Sequence, residues 1–419
     1  MSSTVVVTGL GAVTPLGATA AETWQAALAG TPGAHTLDND WAEKYEIPVD
    51  FAATVPAEFT ADKLKKVEAK RLDPSSRFAL VSAREALADA GLRSEDGTSD
   101  LDPERTSVSW ATGIGGVWTL LDAWDTLREE GSRRVMPLTV PMLMPNGPAA
   151  AIGMDIAARA GVQTVVSACA SSTESLGQAY EMISSGRADV VVAGGSESAI
   201  HPITLAAFSS MRALSRRTDS PETASRPYDV DRDGFVMGEG SGAVVLESEE
   251  HARARGARVY AQLAGWGLSN DSHHITANEP AGVHALRAMR LALQQGGLEP
   301  GDLAHVNAHA TSTPVGDIPE SIAINQLLGG HVDSALVSGT KSMTGHLLGG
   351  AGAVEAIFTI LALHNRLAPP TINISEVDPK VNLNIVRDTP AELPAGDLAA
   401  LSNSFGFGGH NAVVAFKTA

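Results

Sequence analysis

The sequence predicts an α/β protein, and two patterns along the chain support this fold class. Short β-branched runs alternate with longer segments whose apolar residues recur at helical spacing, which is typical of βαβ units with buried strands. This alternation ends and begins again near residues 250–260, so two successive α/β series indicate a duplicated architecture. We therefore expect two similar halves, residues 1–256 and residues 257–419.

The first half contains strands that run into turns of glycine or other small residues, followed by helices with an apolar face. Its predicted strands are Thr4–Leu10, Thr106–Trp110, Thr164–Ser167, Ala188–Gly195 and Ala243–Glu247, and its predicted helices are Ala20–Leu28, Ser75–Ala90 and Ser171–Ser184. The charged stretch Glu247–Arg258 predicts a surface helix at the junction between the halves.

The second half repeats the same alternation at similar spacing. We predict strands beginning at Tyr260 and covering His305–Ala308, Ala335–Gly339 and Ala412–Phe416, with helices at Gly282–Gln295 and Gly352–Asn365. No short period of the kind found in solenoid proteins is present.

Composition excludes several functional classes. The 48 acidic and 30 basic side chains give a net charge of −18, which argues against a nucleic-acid-coating surface. Cys169 is the single cysteine, so an internal disulfide framework and any multi-cysteine metal site are excluded.

Neither a targeting signal nor a membrane span is expected. The first charged side chain is Glu22, whereas a secretory signal begins with a cationic region. Apolar runs such as Ala356–Leu363 are much shorter than the ~20 residues that cross a bilayer. We therefore expect a cytoplasmic protein that does not bind membranes.

Cys169 lies in a setting that suits a nucleophile. The segment that runs from Val165 to Gly177 passes from an apolar strand through small residues into a helix. Small neighbours let a substrate approach the sulfur, and amides at a helix N-terminus favour the reactive thiolate, so we expect a lowered pKa. A buried structural cysteine remains an alternative on this pattern alone.

Two histidines follow predicted strands and have small neighbours. His309 and His346 are therefore candidates for proton transfer or for hydrogen bonding to an oxyanion. Zinc ligation is an alternative, but spacing such as H-E-x-x-H is absent. The adjacent pair His273 and His274 cannot face one way on a helix or a strand, so we expect it to be structural.

Four motifs occur in one order: the cysteine segment, Asn307-Ala-His-Ala-Thr-Ser-Thr-Pro, Lys341-Ser-Met-Thr-Gly-His and Asn403-Ser-Phe-Gly-Phe-Gly-Gly. Together with the block Pro227-Tyr-Asp-Val-Asp-Arg-Asp-Gly-Phe-Val-Met-Gly-Glu-Gly, they resemble the beta-ketoacyl-acyl carrier protein synthases of the thiolase superfamily over essentially the whole chain. The resemblance is greatest to the synthase II branch of dissociated fatty-acid synthesis. It implies a thiolase-like duplicated α/β/α/β/α layered fold with the active site at the shared face of the halves.

The resemblance also implies an activity, decarboxylative condensation of malonyl-acyl carrier protein (malonyl-ACP) with an enzyme-bound acyl chain. Cys169 would carry the acyl chain as a thioester, and His309 and His346 would stabilise the enolate formed as CO2 leaves. The backbone N–H groups of Cys169 and Phe407 would form the oxyanion hole.

Further roles follow from the same resemblance. Lys341 and its carboxylate partner Glu355 would fix histidine orientation, and Asp317 and Glu320 could pair with Lys341. The expected substrate contacts are Thr311 and Thr313 on the phosphopantetheine arm, Phe407 as a gate and Ile114 in the acyl tunnel. Ala310 stands where the family more often has glycine, and its methyl should be tolerated unless the backbone needs a positive φ.

The expected partners are an ACP and a second copy of the chain. Because an ACP is acidic and this chain is too, docking requires a local basic patch. The residues that match the family's docking positions are Lys70, Arg71, Arg133, Arg134 and Arg212. No permanently bound organic cofactor is expected, since phosphopantetheine arrives on the carrier; a monovalent cation near Asn307, Glu355 and Ser402 is implied by resemblance alone.

Three alternatives remain. A ketosynthase of type II polyketide assembly would share Cys169 and both histidines. A non-enzymatic chain-length subunit typically lacks the nucleophile, and the presence of Cys169 argues against it. A Cys/His hydrolase would leave the second histidine and Lys341 unexplained.

Overall fold

The computed structural model describes residues 3–94 and 96–419 and shows a mixed α/β protein. The strands are β1 (Val5–Val13), β2 (His35–Thr36), β3 (Phe51–Ala52), β4 (Thr106–Ala111), β5 (Gly161–Val165), β6 (Val190–Glu197), β7 (Gly240–Ser248), β8 (Ala261–Asn270), β9 (Leu303–Asn307), β10 (Leu336–Ser338), β11 (Leu367–Ala368), β12 (Asn384–Ile385), β13 (Ala391–Glu392), β14 (Ala399–Gly406) and β15 (His410–Lys417). The helices are α1 (Ala20–Leu28), α2 (Trp41–Tyr45), α3 (Glu58–Ala61), α4 (Lys66–Ala69), α5 (Pro74–Asp89), α6 (Val117–Glu130), α7 (Thr139–Leu143), α8 (Gly147–Asp155), α9 (Ser171–Ser184), α10 (Pro202–Ser210), α11 (Glu249–Ala254), α12 (Val283–Gly296), α13 (Asp317–Leu328), α14 (Lys341–Thr344) and α15 (Ala351–Asn365).

Strand pairing shows the duplication directly. The large sheet has the order β12-β10-β9-β14-β15-β8-β1-β7-β6-β4-β5. The antiparallel pairs β1–β7 and β7–β6 in the first half correspond to β8–β15 and β15–β14 in the second. The parallel pairs β6–β4 and β4–β5 correspond to β14–β9 and β9–β10, and β1 pairs with β8 where the two halves meet. The boundary at residues 256 and 257 stays a prediction.

The helices complete the α/β/α/β/α layers that were predicted. α9 and α15 contact strands of both halves and form the central layer. α5 and α8 cover the outer face of the first half, and α12 and α13 cover the outer face of the second. Strands β6, β7 and β14 are buried along their whole length, as expected for strands covered on both faces.

Several elements were not predicted from the sequence, among them β14 and α13. The centre of β14 is Ser402, Asn403 and Ser404, which interrupts the apolar run although all three side chains are buried. α13 begins with the buried acids Asp317 and Glu320, which a periodicity argument assigns to a surface. These two unpredicted elements, β14 and α13, lie beside the cavity described below.

One helical stretch, Leu348–Asn365, has the length and apolar character of a membrane-spanning helix. Of this stretch, 89% is buried inside the protein, between strands of the two halves. Packing against the core therefore explains its composition.

Candidate active site

Cys169, His309 and His346 line one cavity of about 520 Å³, although they lie far apart in sequence. Cys169 lies in the turn just before α9, His309 follows β9, and His346 follows α14. The cavity reaches the surface, because its lining includes Met211 and Val315, which are 46% and 64% exposed. A substrate can therefore approach all three side chains from solvent.

The turn that carries Cys169 is rigid. Ala168 adopts φ +51°, a left-handed conformation between β5 and α9. Ser171 Oγ donates to the carbonyl of Ala168 (2.6 Å) and accepts the N–H of Ser167 (2.8 Å). Gly406 packs against this turn, and a Cβ there would lie 2.6 Å from the Ser167 carbonyl oxygen. The glycine-rich motif near residue 406 therefore has a steric function beside the nucleophile.

The electrostatics of Cys169 differ from the sequence-based expectation of a lowered pKa. Burial raises the pKa of the Cys169 thiol to about 12, while Lys341 and the N–H of Phe407 act in the opposite direction. Desolvation of the thiolate outweighs these groups and the start of α9. The sulfur is therefore a thiol near neutral pH, and the predicted lowered pKa is wrong.

The two histidine rings lie edge to face. Their centroids are 5.3 Å apart with an interplanar angle of 87°. Phe235 packs on His346 at 5.3 Å, and Phe405 packs on His309 at 5.7 Å, so aromatic contacts fix both rings. Burial, with a contribution from Lys341, lowers the pKa of both histidines well below the usual value. Both imidazoles are therefore neutral near pH 7.

Lys341 determines the tautomer of His309. Its Nζ donates to the His309 carbonyl oxygen at 2.7 Å and lies 3.3 Å from His309 Nδ1. Because an ammonium group has no acceptor, the hydrogen-bond network assigns Nδ1 as the acceptor and places the ring proton on Nε2. Lys341 also forms a salt bridge with Glu355, and burial raises the pKa of that carboxyl group to about 7 against the attraction of Lys341.

Asp317 and Glu320 do not pair with Lys341, which corrects the expectation for both acids. Glu320 accepts the backbone N–H groups of His309 and Ala310, each at 2.7 Å. Asp317 accepts the N–H of Tyr228 (3.0 Å) and lies 3.4 Å from Arg232. Glu320 therefore holds the backbone at His309, and Asp317 holds the amides of Tyr228 and Ser312, so neither acid pairs with the lysine.

Ala310 adopts φ +34°. This is the positive φ under which we expected its methyl group not to be tolerated. The left-handed region favours glycine, and the alanine side chain therefore strains the backbone here. Its amide remains fixed by Glu320, which keeps the residue in this conformation.

The predicted substrate contacts all line the same cavity: Ile114, Thr311, Thr313 and Phe407. The hydroxyl groups of Thr311 and Thr313 lie 3.0 Å apart. Among the predicted docking residues, Arg212 also lines the cavity, while the structure leaves Lys70, Arg71, Arg133 and Arg134 exposed outside that lining. Arg134 pairs with Glu130 at 3.1 Å.

Buried polar atoms beside the lysine fit the implied monovalent cation. Glu355 Oε2 and Ser402 Oγ are buried and have no hydrogen-bond partner in the described part of the chain. Asn307 is the last residue of β9, and its Oδ1 accepts a hydrogen bond from Thr340 at 3.3 Å. Oxygen donors with a single carboxylate suit a hard monovalent ion. Residues 3–94 and 96–419 contain no cluster of three His, Cys, Asp or Glu side chains that would hold a transition metal.

Glu197 is the residue that sequence reasoning missed. It ends β6, is fully buried, and accepts hydrogen bonds from Thr112, Gly113, Ile114 and Gly349. An acidic residue two positions after the apolar run Val190–Gly195 was the available signal.

Comparison with known families gives two adjacent matches. Residues 2–252 match the model of the beta-ketoacyl synthase N-terminal domain, and residues 260–375 match that of the C-terminal domain. The chain is similar to "3-oxoacyl-[acyl-carrier-protein] synthase 2" of Mycobacterium bovis, with 42% identity over 98% of this chain and 96% of the relative. The protein of that name from Staphylococcus aureus strain N315 is 43% identical over 99% of this chain and 98% of its own.

Solved structures agree at the level of the fold. A beta-ketoacyl synthase from Burkholderia phymatum superposes with a TM-score of 0.90 at 34% identity, covering both chains completely. A type II polyketide ketosynthase, solved with its acyl-carrier protein and bound to a hexaketide, also gives a TM-score of 0.90, at 30% identity and complete coverage.

Proposed function

The chain belongs to the beta-ketoacyl synthase family, and we propose that it elongates fatty acids by condensing malonyl-ACP with an acyl chain held on Cys169. The observation that carries this proposal is the shared cavity of Cys169, His309 and His346. One sulfur and two neutral imidazoles match the two chemical requirements of the reaction, a carrier for the acyl group and donors for an enolate.

Acyl transfer is the first step. The sulfur of Cys169 forms a bond to the acyl carbonyl carbon, the bond to the pantetheine sulfur breaks, and the thiol proton passes to the departing pantetheine thiolate. The N–H groups of Cys169 and Phe407, which both interact with the sulfur in the free enzyme, stabilise the negative oxygen of the intermediate. Because proton and leaving group depart together, a high resting pKa does not prevent this exchange.

Decarboxylation and condensation follow. The carbon–carboxylate bond of malonyl-ACP breaks, CO2 leaves, and the electron pair forms an enolate whose oxygen accepts N–H donation from His309 and His346. The enolate carbon then attacks the Cys169 thioester, giving 3-oxoacyl-ACP and a thiolate that takes up one proton. Lys341 keeps the proton of His309 on Nε2 through its contact with Nδ1, so that the ring presents a donor.

A polyketide ketosynthase is the second candidate, because a type II polyketide ketosynthase and a ketosynthase/chain length factor share the fold at a TM-score of 0.90. Identity to those structures is 30%, whereas identity to the named fatty-acid enzymes is 42–43% over nearly the whole chain. The higher identity over the same length favours fatty-acid elongation.

We propose that an ACP docks at the mouth of the cavity, with Arg212 as the nearest of the predicted basic contacts. Arg212→Glu should raise the KM for acyl-ACP several-fold, with Arg290→Glu, an exposed position on α12, as the matched control. An equal effect of both substitutions would contradict docking at Arg212. Since its substrates would be carried by this protein partner, we propose a cytoplasmic location.

We also propose a homodimer that forms through β5. This strand ends the large sheet, so its outer edge has no partner strand in the described chain, and Val162, Val166 and Met154 are 44%, 55% and 79% exposed there. Pairing with β5 of a second copy would cover the edge and these side chains. Met154→Lys with Val166→Lys should shift the mass in light scattering to a monomer, while Ile275→Lys, at another exposed apolar position, should not.

The monovalent cation is proposed at Asn307, Glu355 and Ser402, supported by the unpaired Glu355 Oε2 and Ser402 Oγ. A bound ion would neutralise the second carboxylate oxygen and so fix the salt bridge to Lys341. Potassium should raise the melting temperature of the wild type relative to tetramethylammonium, and Ser402→Ala should reduce that difference. An identical response of both proteins would contradict the site.

The experiment that tests the proposed function is a condensation assay with purified protein, malonyl-ACP and acyl-ACPs of increasing length. We expect 3-oxoacyl-ACP products two carbons longer than each accepted primer, and a mass increase on the peptide that contains Cys169 before malonyl-ACP is added. Free fatty acid as the main product would instead indicate a hydrolase.

A further inference from the structure

We propose that Glu197 is a positioning residue that determines which acyl chains the enzyme accepts, by fixing two loops of the acyl wall. The inference rests on the proposed function and extends it to substrate choice. Glu197 does not line the cavity itself, whereas Gly113, Ile114 and Leu348 do. It therefore lies behind the wall rather than at the reacting atoms.

The contacts of Glu197 join two distant segments. Its Oε1 accepts from the hydroxyl group of Thr112 (2.9 Å) and from the N–H of Ile114 (3.2 Å). Its Oε2 accepts from the N–H groups of Gly113 (2.7 Å) and Gly349 (3.0 Å). One buried side chain thus holds the loop after β4 against the loop that follows His346.

Steric contacts show how tightly these loops meet. A Cβ at Gly349 would lie 2.0 Å from the N of Gly113, and a Cβ at Gly113 would lie 2.8 Å from Glu197 Oε2. A Cβ at Gly195, on the same strand as Glu197, would lie 2.6 Å from the Cβ of Ser172 on the nucleophile helix. The junction therefore leaves no room for a side chain at any of the three glycines.

The charge of Glu197 is unusual. All four of its hydrogen-bond donors are neutral, and burial raises the pKa of the carboxyl group while these donors lower it. Three of the four are backbone N–H groups, which can only donate, and together they reach both oxygens, so the geometry favours the carboxylate form. A buried carboxylate without a cationic partner is costly, which indicates that it is kept for the loops it holds.

The Glu197→Gln variant makes a selective change. The hydroxyl group of Thr112 can turn to accept from the new amide NH2, whereas the N–H of Ile114 on the same side cannot. We therefore expect the variant to keep the bonds from Gly113 and Gly349 and to leave the Ile114 amide unpaired. Ile114 is then held less firmly at the acyl wall, while His309 and His346 keep their contacts.

The test measures kcat/KM for a series of acyl-ACPs together with the rate of malonyl-ACP decarboxylation. In Glu197→Gln, the ratio of kcat/KM for the best acyl-ACP to kcat/KM for the worst should fall about fivefold and approach one, because a loosened wall discriminates less between chain lengths. Decarboxylation should stay within about twofold of the wild type. An equal loss at every chain length, or a matching loss of decarboxylation, would overturn the proposal.

Two further variants and a second measurement keep the test decisive. Glu239→Gln is the matched control, because Glu239 is a half-buried carboxylate that accepts from Val55 N and Ser198 Oγ and not from Ile114. Thr112→Val removes one donor to Glu197 and should repeat the effect if Glu197→Gln does not fold.

Hydrogen exchange at residues 112–116 gives a readout that does not depend on activity. It should accelerate in Glu197→Gln and remain unchanged in Glu239→Gln; unchanged exchange in both would overturn the role of Glu197. An inactive wild type would overturn the proposed function instead, and hydrogen exchange would still show whether Glu197 holds the loop at residues 112–116.

Discussion

The two halves of the molecule share a strand order and a central helix each, yet they carry different chemistry. In the first half, α9 begins beside Cys169, and the sulfur interacts with two backbone N–H groups, its own and that of Phe407 from the second half. In the second half, Glu355 on α15 forms a salt bridge with Lys341, and Lys341 contacts His309. The interacting groups there are ionisable side chains. The duplicated fold thus provides two equivalent helices at one cavity, and each half contributes one of the two requirements of the reaction.

Desolvation affects the two regions in opposite ways. Burial raises the pKa of Cys169 and lowers the pKa of His309 and His346, because in each case it disfavours the charged form. Neutral imidazoles suit hydrogen-bond donation to an enolate, whereas a neutral thiol must lose its proton during the transfer. The comparison teaches that burial in one cavity keeps the histidines neutral, as hydrogen-bond donation requires, and leaves the cysteine as a thiol that must lose its proton during the transfer.

Removing the nucleophile should have the largest effect and should distinguish the step that depends on the first half from the step that depends on the second. In Cys169→Ala we expect acyl transfer and condensation to fall to background, since no other described side chain in the cavity carries a thiol. Decarboxylation of malonyl-ACP should persist, because its donors lie in the second half. Mass spectrometry of the acylated protein and CO2 release measure the two steps, and condensation by the variant would contradict the assignment.

Removing either imidazole should affect the opposite step. His309→Ala and His346→Ala should each lower malonyl-ACP decarboxylation by about 10²–10³-fold, the usual effect of one oxyanion donor. Acylation of Cys169 should change much less. His274→Ala, at an exposed histidine, serves as the control, and unchanged decarboxylation in both cavity variants would remove their proposed role.

The pH dependence of alkylation tests the contrast in charge state. The rate of Cys169 alkylation by iodoacetamide should rise about tenfold per pH unit between pH 7 and pH 9, because the thiolate fraction grows toward a pKa of about 12. The decarboxylation rate should show no inflection near the ordinary histidine pKa, since both rings stay neutral there. A plateau of alkylation below pH 8 would show that the thiolate is already formed in the free enzyme.

The smallest expected effect concerns backbone strain on the histidine side. Ala310→Gly should raise the free energy of unfolding by about 0.5–1 kcal/mol, because glycine adopts the positive φ at this position without strain. Ala308→Gly, two residues earlier at a position without positive φ, should lower it. Urea unfolding measures both, and a loss of stability in Ala310→Gly would contradict the strain.

The sequence by itself determined the fold class and the duplication, and it identified Cys169, His309 and His346 as candidate site residues. Strand and helix periodicity depend on local burial, so the alternating pattern was visible without coordinates. These three residues stood out because each follows a predicted strand and has small neighbours, although in the structure His346 follows α14. These features are local, and a single chain shows them directly.

Tertiary structure alone decided the charge states and the supporting contacts. The raised pKa of Cys169 depends on desolvation by segments that are distant in sequence, and the contacts of Glu320 and Glu197 depend on which backbone amides lie within reach. The positive φ of Ala310 follows from the same packing. Burial and hydrogen-bond partners are properties of the folded chain, so no local pattern of residues specifies them.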